Sequence, residues 1–284
     1  MVQRKQVSLT IIKMNLSAFY NGKIVLITGA SLGIGKEMAR QVLALGGKVV
    51  MTARNKTRLI AALNEFKEYA ENILIYEGDA TNYQDNIELI EKVRHCFGKL
   101  DILINNAGMS CYGDVETLQP GVAEQVINTN IYGSLYPAMV AIPELKKWQG
   151  SMLFVSSIAG IHGIPGYSTY SLSKMALTGL AQSLRTELRS VKVFVGIAYV
   201  GFTENEEEKK TLSPNGQLEK IPTRPNRLTA SRETTARLLL QQIMQRQHSA
   251  FPSSFGLFTS LISRYFPDVL RHILAWNYNK KNKH

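Results

Sequence analysis

The chain has 284 residues, 45% of them apolar, with 33 lysines and arginines against 22 acids for a formal charge of +11. That apolar share excludes a disordered polar chain and suits one large α/β domain or two small ones. The basic residues are scattered rather than gathered into a nucleic-acid motif, so no nucleic-acid partner is expected, although an anionic cofactor or an acidic membrane surface would use the same charge.

Residues 1–20 contain "VSLTIIKMNLSAF", too short and too interrupted by Lys13 for a membrane span or a signal segment, and read as a leading arm. From there to residue 249, short apolar runs alternate with amphipathic stretches, the pattern of βαβ units. Strands are predicted at 23–28, 48–53, 72–76, 100–105, 151–156 and 191–199, each apolar on both faces as buried parallel strands require. Between them, Leu59, Leu63, Phe66 and Ala70 mark one helix face, and Ile87, Ile90, Val93 and Phe97 another. No linker or repeat divides this span, so residues 21–249 are predicted to form a single doubly wound α/β domain around a parallel sheet.

After the first strand, "TGASLGIGKEMAR" places Gly29, Gly33 and Gly35 at a strand-to-helix turn with GxxxGxG spacing. Glycine permits the sharp turn and a close ligand, while the free N–H groups and positive end of the new helix attract phosphate, so a pyrophosphate site is expected. A tight turn needs glycine in any case; the position after the first buried strand favours the nucleotide reading. Past the second strand, "TARNK" has Ala53 where a carboxylate would receive an adenosine ribose. Arg54 and Lys56 supply charge for a 2′-phosphate instead, which predicts NADP(H), while an ordinary basic loop has the same composition. Leu32 adds no charge inside the turn.

The stretch "YSTYSLSK" runs from Tyr167 to Lys174. On a helix Lys174 lies about 6 Å beyond Tyr170 along the axis and roughly 40° around it, so the side chains are neighbours. Tyr167 lies farther off. An ammonium beside a phenol favours phenolate, drawing a pKa that starts near ~10 toward working pH and making Tyr170 a candidate proton donor. A solvated helix edge would show the same spacing. Cys96 and Cys111 have neither CxxC nor disulfide-framework spacing and read as small buried residues of a reducing, cytoplasmic compartment. His95, His162, His248, His272 and His284 show no ligand spacing, and no metal is expected.

Residues 204–226 are the one long polar interruption, read as a lid, a binding loop or disorder. Residues 250–284 form a helical extension. Arg264, Pro267, Asp268 and Arg271 interrupt its apolar run, so it should not cross a bilayer. Val269, Leu270, Ile273 and Leu274 repeat at helical spacing, with Trp276, Tyr278, Lys280, Lys281 and Lys283 following. That amphipathic, basic end suits a membrane surface, and a helix packed over a pocket or against a second subunit suits it equally.

Taken in order, "TGASLGIG", "NNAG" (105–108), "INTN" (127–130), "VSS" (155–157) and "YSLSK" (170–174) resemble the short-chain dehydrogenase/reductase family across residues 20–249. The resemblance implies a Rossmann fold and an oxidoreductase that exchanges hydride between a nicotinamide and a carbonyl or hydroxyl. The basic tail extends the likeness to membrane-associated reductases of lipid ketones, such as ketosphinganine and hydroxysteroid reductases, and the apolar run Ile158, Ile161, Ile164 and Pro165, which the family places at the pocket, favours an apolar substrate. Position by position it makes Tyr170 the general acid in reduction and the base in reverse. Lys174 lowers the Tyr170 pKa and holds the nicotinamide ribose, Ser157 donates to the developing oxyanion, and Asn130 positions a relay water. Ser156 and Asn128 are the neighbouring alternatives.

The same resemblance assigns Gly29, Ser31, Gly33, Ile34, Gly35 and Arg54 to the cofactor, with Asn106, Ala107 and Gly108 under the adenosine side and Asp79 at the adenine. Asp79 as a helix cap is the competing reading. In "YVGFTEN", Val200 replaces the family's proline and Asn205 stands where its nicotinamide-steadying threonine would be, so either Asn205 or Thr203 takes that role. Tyr167, Ile158, Ile161, Ile164 and Pro165 are expected to wall the pocket, with His162 at its rim and a short seventh strand near "SAFPSSFG". The resemblance also implies a homo-oligomer, a dimer or tetramer, paired through the helices that carry Asn130 and Tyr170. A non-catalytic dinucleotide-binding sensor or scaffold is the alternative function, against which the complete set of Tyr170, Lys174, Ser157 and Asn130 argues.

Overall fold

The computed structural model describes residues 16–204, 206, 210–221 and 229–281. Seven parallel strands form one sheet in the order β3-β2-β1-β4-β5-β6-β9. They are β1 Ile24–Thr28, β2 Lys48–Ala53, β3 Ile73–Glu77, β4 Ile102–Asn105, β5 Ser151–Ser157, β6 Phe194–Val200 and β9 Ser249–Ala250. The last lies inside the stretch expected to hold a seventh strand. Leu26 sits between Val50 and Leu103, and Ser157 ends opposite Val200.

Successive residues of a strand face opposite sides, which is why every strand reads as apolar throughout. Val25 and Ile27 pack toward Met38, Val42, Leu239 and Ile243, from the helices Gly33–Ala44 and Arg232–Met244. Ile24 and Leu26 pack the other way, toward Leu89, Val93, Leu145 and Leu177 of the helices Tyr83–Phe97, Gly133–Trp148 and Ser168–Glu187. The order in which strands are added to the sheet reverses between β1 and β4, so a crevice opens at the carboxyl ends of those strands, the position where doubly wound sheets bind ligands.

Some elements differ from the expectation. The helix marked by Leu59 ends at Glu65 and a 3₁₀ stretch, Lys67–Asn72, follows. Its tighter winding shifts the phase, leaving Ala70 exposed while Ala62 joins Leu59 and Phe66 in the core. Residues 1–15 of the arm lie outside the described residues, whereas 16–20 are helical, with Leu16 and Tyr20 buried. The Tyr20 hydroxyl donates to the Leu240 carbonyl at 2.9 Å. Cys111 is buried as expected, but Cys96 is exposed, three residues past buried Val93 on the outer side of its helix.

Within the polar stretch 204–226, Lys210–Leu212 (β7) and Leu218–Lys220 (β8) pair as an antiparallel hairpin. Leu212 is buried with Cys111, Val122 and Val126, which fastens the hairpin to the body. The tail forms two helices, Ser254–Tyr265 and Pro267–Lys281. Among the described residues no helix is long and apolar enough to cross a membrane. Nor do they hold a metal-competent group of three or more His, Cys, Asp or Glu.

Candidate active site

β5 delivers two serines at its end, and strand alternation separates their roles. Ser156 Oγ donates to the Lys174 carbonyl at 3.1 Å under Gly160, where an added Cβ would sit 2.4 Å from Ser156 Oγ. Ser157 Oγ instead accepts the Ala159 N–H at 3.3 Å, which leaves its own proton for the cavity. The helix Ser168–Glu187 brings Tyr170 and Lys174 to the same place. Lys174 is buried, its Nζ donating to the Val155 carbonyl at 3.0 Å and lying 5.9 Å from the Tyr170 ring centroid.

Asn130 sits in a π-helical turn, Asn128–Tyr132. The extra residue in that turn carries Asn130 inward to full burial while Asn128 stays exposed. Its Oδ1 accepts from the Met109 N–H at 2.8 Å, and its Nδ2 donates to the Met109 carbonyl at 2.9 Å and to Ser173 Oγ at 2.8 Å. Ser173 in turn donates to the Tyr170 carbonyl at 2.8 Å. A Cβ on Gly108 would lie 3.0 Å from Asn130 Oδ1 and 3.2 Å from Lys174 Nζ, so both groups press on one backbone position that must stay small.

Ser157, Tyr170 and Lys174 line a cavity of about 330 Å³ walled by Ile158, Ile164, Tyr167, Met109, Phe202 and Ile221. Two expected wall residues lie elsewhere. Ile161 packs into the core on the Leu177 side, and Pro165 is exposed at a turn. His162 Nδ1 approaches Ser263 Oγ of the first tail helix at 3.4 Å. Thr203 lines the cavity; Asn205 lies outside the described residues. Met109, Phe202 and Ile221 were not foreseen, because nothing in their local sequence marks them as facing one space.

A second groove of about 290 Å³ holds Gly29, Ser31, Gly33, Ile34, Arg54, Asp79 and Ala107. It shares Ile34, Asn106 and Gly108 with the first cavity, so the two join end to end. Gly29 has φ +64°, and its Cβ would fall 2.8 Å from Ala107 Cα, so only glycine allows β1 and β4 to meet there. Gly35 does not line the groove; a Cβ there would strike Asn106 Nδ2 at 2.5 Å. Asn106 uses its amide on the turn, donating to the carbonyls of Thr28 and Gly29 at 3.0 Å each. Thr28, unremarked in the sequence although it opens the glycine motif, accepts the N–H groups of Asn106 and Ala107 at 3.0 Å.

Charge around the groove is also rearranged. Arg54 Nη1 lies 4.0 Å from Asp79 Oδ2, whereas Lys56 turns to Glu77 at 3.9 Å and Arg58 lines the groove in its stead. Asp79 Oδ1 accepts from the N–H and hydroxyl of Thr81, while Asn82 caps the following helix. The helix Gly33–Ala44 has no side-chain cap and no acid in its first turn. Its Gly33 N–H donates to Glu206 Oε2 at 3.1 Å. Burial works against the Lys36 ammonium, yet the carboxylates of Glu65 and Glu206 hold its pKa above the usual range. Burial pushes the Cys111 thiol up. The glycine cradle, a helix start whose Gly33 N–H already holds the carboxylate of Glu206, and two guanidinium-bearing residues on one groove fit an extended dinucleotide with phosphates in its middle.

Comparison with known proteins shows a family and a fold. The family described as "short chain dehydrogenase" matches residues 23–215. A cattle (Bos taurus) protein named 3-ketodihydrosphingosine reductase is 36% identical over 184 residues, 63% of this chain and 55% of its own length. An Arabidopsis thaliana protein named 11-beta-hydroxysteroid dehydrogenase-like 2 is 38% identical over 189 residues, 65% of this chain and 60% of its own. The match thus spans less than two thirds of either relative. A Thermotoga maritima oxidoreductase is 30% identical over 238 residues, 84% of this chain and 90% of its own. Two solved structures share the fold. A Burkholderia phymatum short-chain dehydrogenase/reductase in complex with NAD has TM-score 0.77 and 21% identity, covering 88% of this chain and 95% of that one. A Burkholderia cenocepacia short-chain dehydrogenase in complex with NADP has TM-score 0.76 and 21% identity, covering 90% and 98%.

Proposed function

Since the chain belongs to the short-chain dehydrogenase family, we propose that it is an NADP(H)-dependent oxidoreductase acting on the carbonyl or hydroxyl of an apolar, lipid-like substrate. The observation that carries this reading is the convergence of Ser157, Tyr170 and Lys174 on one apolar cavity that joins the glycine-turn groove.

Ile34, Asn106 and Gly108, common to both spaces, would hold the middle of the cofactor, and Arg54 with Arg58 its adenosine end. Bound there, the nicotinamide would supply the hydride that reduces the carbonyl carbon. The residues of the chain handle the oxygen. Ser157 turns its free proton on the carbonyl oxygen, and the Tyr170 phenol transfers its own proton as negative charge develops there. The Lys174 ammonium, fixed by the Val155 carbonyl, favours the phenolate left behind. Asn130 has its amide filled by Met109 and Ser173, so its first role is to brace the Gly108–Met109 segment against the Tyr170 helix. A relay water would use the remaining lone pair of Oδ1.

Neighbouring structures carry NAD in one case and NADP in another, so the preference for NADP(H) rests on this chain's residues. Arg54 and Arg58 face the groove, and Ala53 brings no carboxylate to a ribose. Steady-state oxidation of NADPH and NADH with a panel of long-chain and steroid ketones tests the reading. Expected are turnover with the apolar ketones and a kcat/KM at least about tenfold higher for NADPH. Absence of turnover with every ketone would sink the enzyme assignment.

A further inference from the structure

We propose that the outer face of the two tail helices is a docking surface for an anionic lipid bilayer, set against the wall of the substrate cavity. In Ser254–Tyr265, Leu257, Leu261 and Tyr265 recur every fourth residue, about 40° apart, and form one stripe with Phe258 beside it. In Pro267–Lys281, Val269, Ile273 and Trp276 fall within about 60° of one another. All seven are exposed, as is Phe266 between the helices, and Phe258, Tyr265, Phe266 and Trp276 reach 61 to 64%. A patch of that size and aromatic content is costly to leave in water.

The opposite faces are taken by the body. Leu270 is buried, the Tyr278 hydroxyl donates to the Asp114 carboxylate, and Gly256 is buried where a Cβ would lie 3.4 Å from Ile158. Phe255 stacks on Phe202 at 5.6 Å between centroids. Ile158 and Phe202 both line the cavity. The first tail helix therefore separates the cavity from the exposed stripe by its own thickness.

Charge identifies the occupant. Residues 250–284 carry five lysines and arginines against one acid, Asp268. Arg264 lies 5.7 Å from the Tyr265 ring and Lys280 5.3 Å from the Trp276 ring, which sets cations at the edge of each apolar stripe. Aromatic rings bordered by cations match the headgroup region of an anionic leaflet. A second copy paired through the same face would bring two sets of these cations onto one patch. The helices have 12 and 15 residues, and neither is long and apolar enough to span, so they lie in the plane of the surface. Docking stands without the reductase reading; that a docked face shortens the path of a lipid substrate into the cavity rests on it.

The test is flotation of the full chain with phosphatidylcholine vesicles, with and without phosphatidylserine, alongside sedimentation without lipid. The wild type should float with phosphatidylserine vesicles, less so without the anionic lipid or at high salt. The variant Phe258→Ser/Leu261→Ser/Trp276→Ser should bind on the order of a hundredfold more weakly. Arg264→Gln/Arg271→Gln/Lys280→Gln should lose about fivefold per cation, and only on anionic vesicles. Unchanged thermal unfolding and NADPH binding confirm that the variants are folded. A wild type that stays off the vesicles, or an apolar triple variant that floats as well as the wild type, overturns the proposal. So does an oligomer that this variant dissolves without any vesicle binding, which would assign the face to a second copy. A protein that floats yet reduces no ketone would remove the proposed activity and leave the docking surface in place.

Discussion

Tyr170 and Lys174 show how far spacing alone reaches. Four residues apart on one helix, they had to be neighbours; that the lysine would be buried, with its ammonium on the Val155 carbonyl, depended on a strand nearly twenty residues earlier. Tyr170→Phe should lower kcat by about 10²–10⁴-fold while NADPH binding, followed by fluorescence, is kept. An unchanged rate would take the proton donor out of the mechanism. At the other end of the groove, Arg54 was legible as the first cation after β2, but Lys56 was the wrong second one. The helix beginning at Lys56 carries Arg58 to the groove and leaves Lys56 beside Glu77. Arg54→Ser/Arg58→Ser should raise KM for NADPH about tenfold or more and leave KM for NADH nearly unchanged. Equal losses for both would mean the arginines hold the shared part of the cofactor.

At the scale of elements, strands and helices follow from apolar runs and their period, and errors gather where two elements meet. Ala70 was assigned to a helix face because the pattern continued past Glu65, but a 3₁₀ stretch does not keep that pattern in phase. The β7–β8 hairpin was hidden for the opposite reason, since three-residue strands are too short for periodicity to show. The join between β1 and β4 rests on Asp101, whose carboxylate accepts the Ile24 N–H at 2.9 Å and pairs with Lys23 and Lys99 at 3.0 Å. Burial raises its pKa, but these three donors outweigh burial and hold it below the usual carboxylate range. A depressed folded-state pKa means stability that is fully present above the unfolded value near ~4 and is lost as pH falls through the folded value. Asp101→Asn should therefore cost about 2 kcal/mol at neutral pH by urea unfolding, and the gap from wild type should narrow in acid. A gap independent of pH would place the cost in packing instead of charge.

For the molecule as a whole, the helices that carry Asn130 and Tyr170 leave Tyr132, Met139, Leu172 and Met175 exposed on their outer sides. Those positions fit the pairing of subunits that the family resemblance implies, which we propose for this chain. Sedimentation should find a dimer or tetramer, and Leu172→Glu should shift it toward monomer; a wild-type monomer would end that proposal. The doubly wound architecture and the order of the motifs could be read from the chain because each depends on neighbours within a few residues: alternate apolar faces, a glycine turn, one helical step from phenol to ammonium. Which serine has its hydroxyl engaged, why Asn130 turns inward while Asn128 does not, and where Met109, Phe202 and Ile221 assemble a wall depended on packing between separate segments, 18 residues apart for Ser156 and Lys174 and 43 for Asn130 and Ser173. Contacts at that distance leave no periodic mark on the sequence, because the side chain's direction is set by the partner it meets and not by the residues beside it.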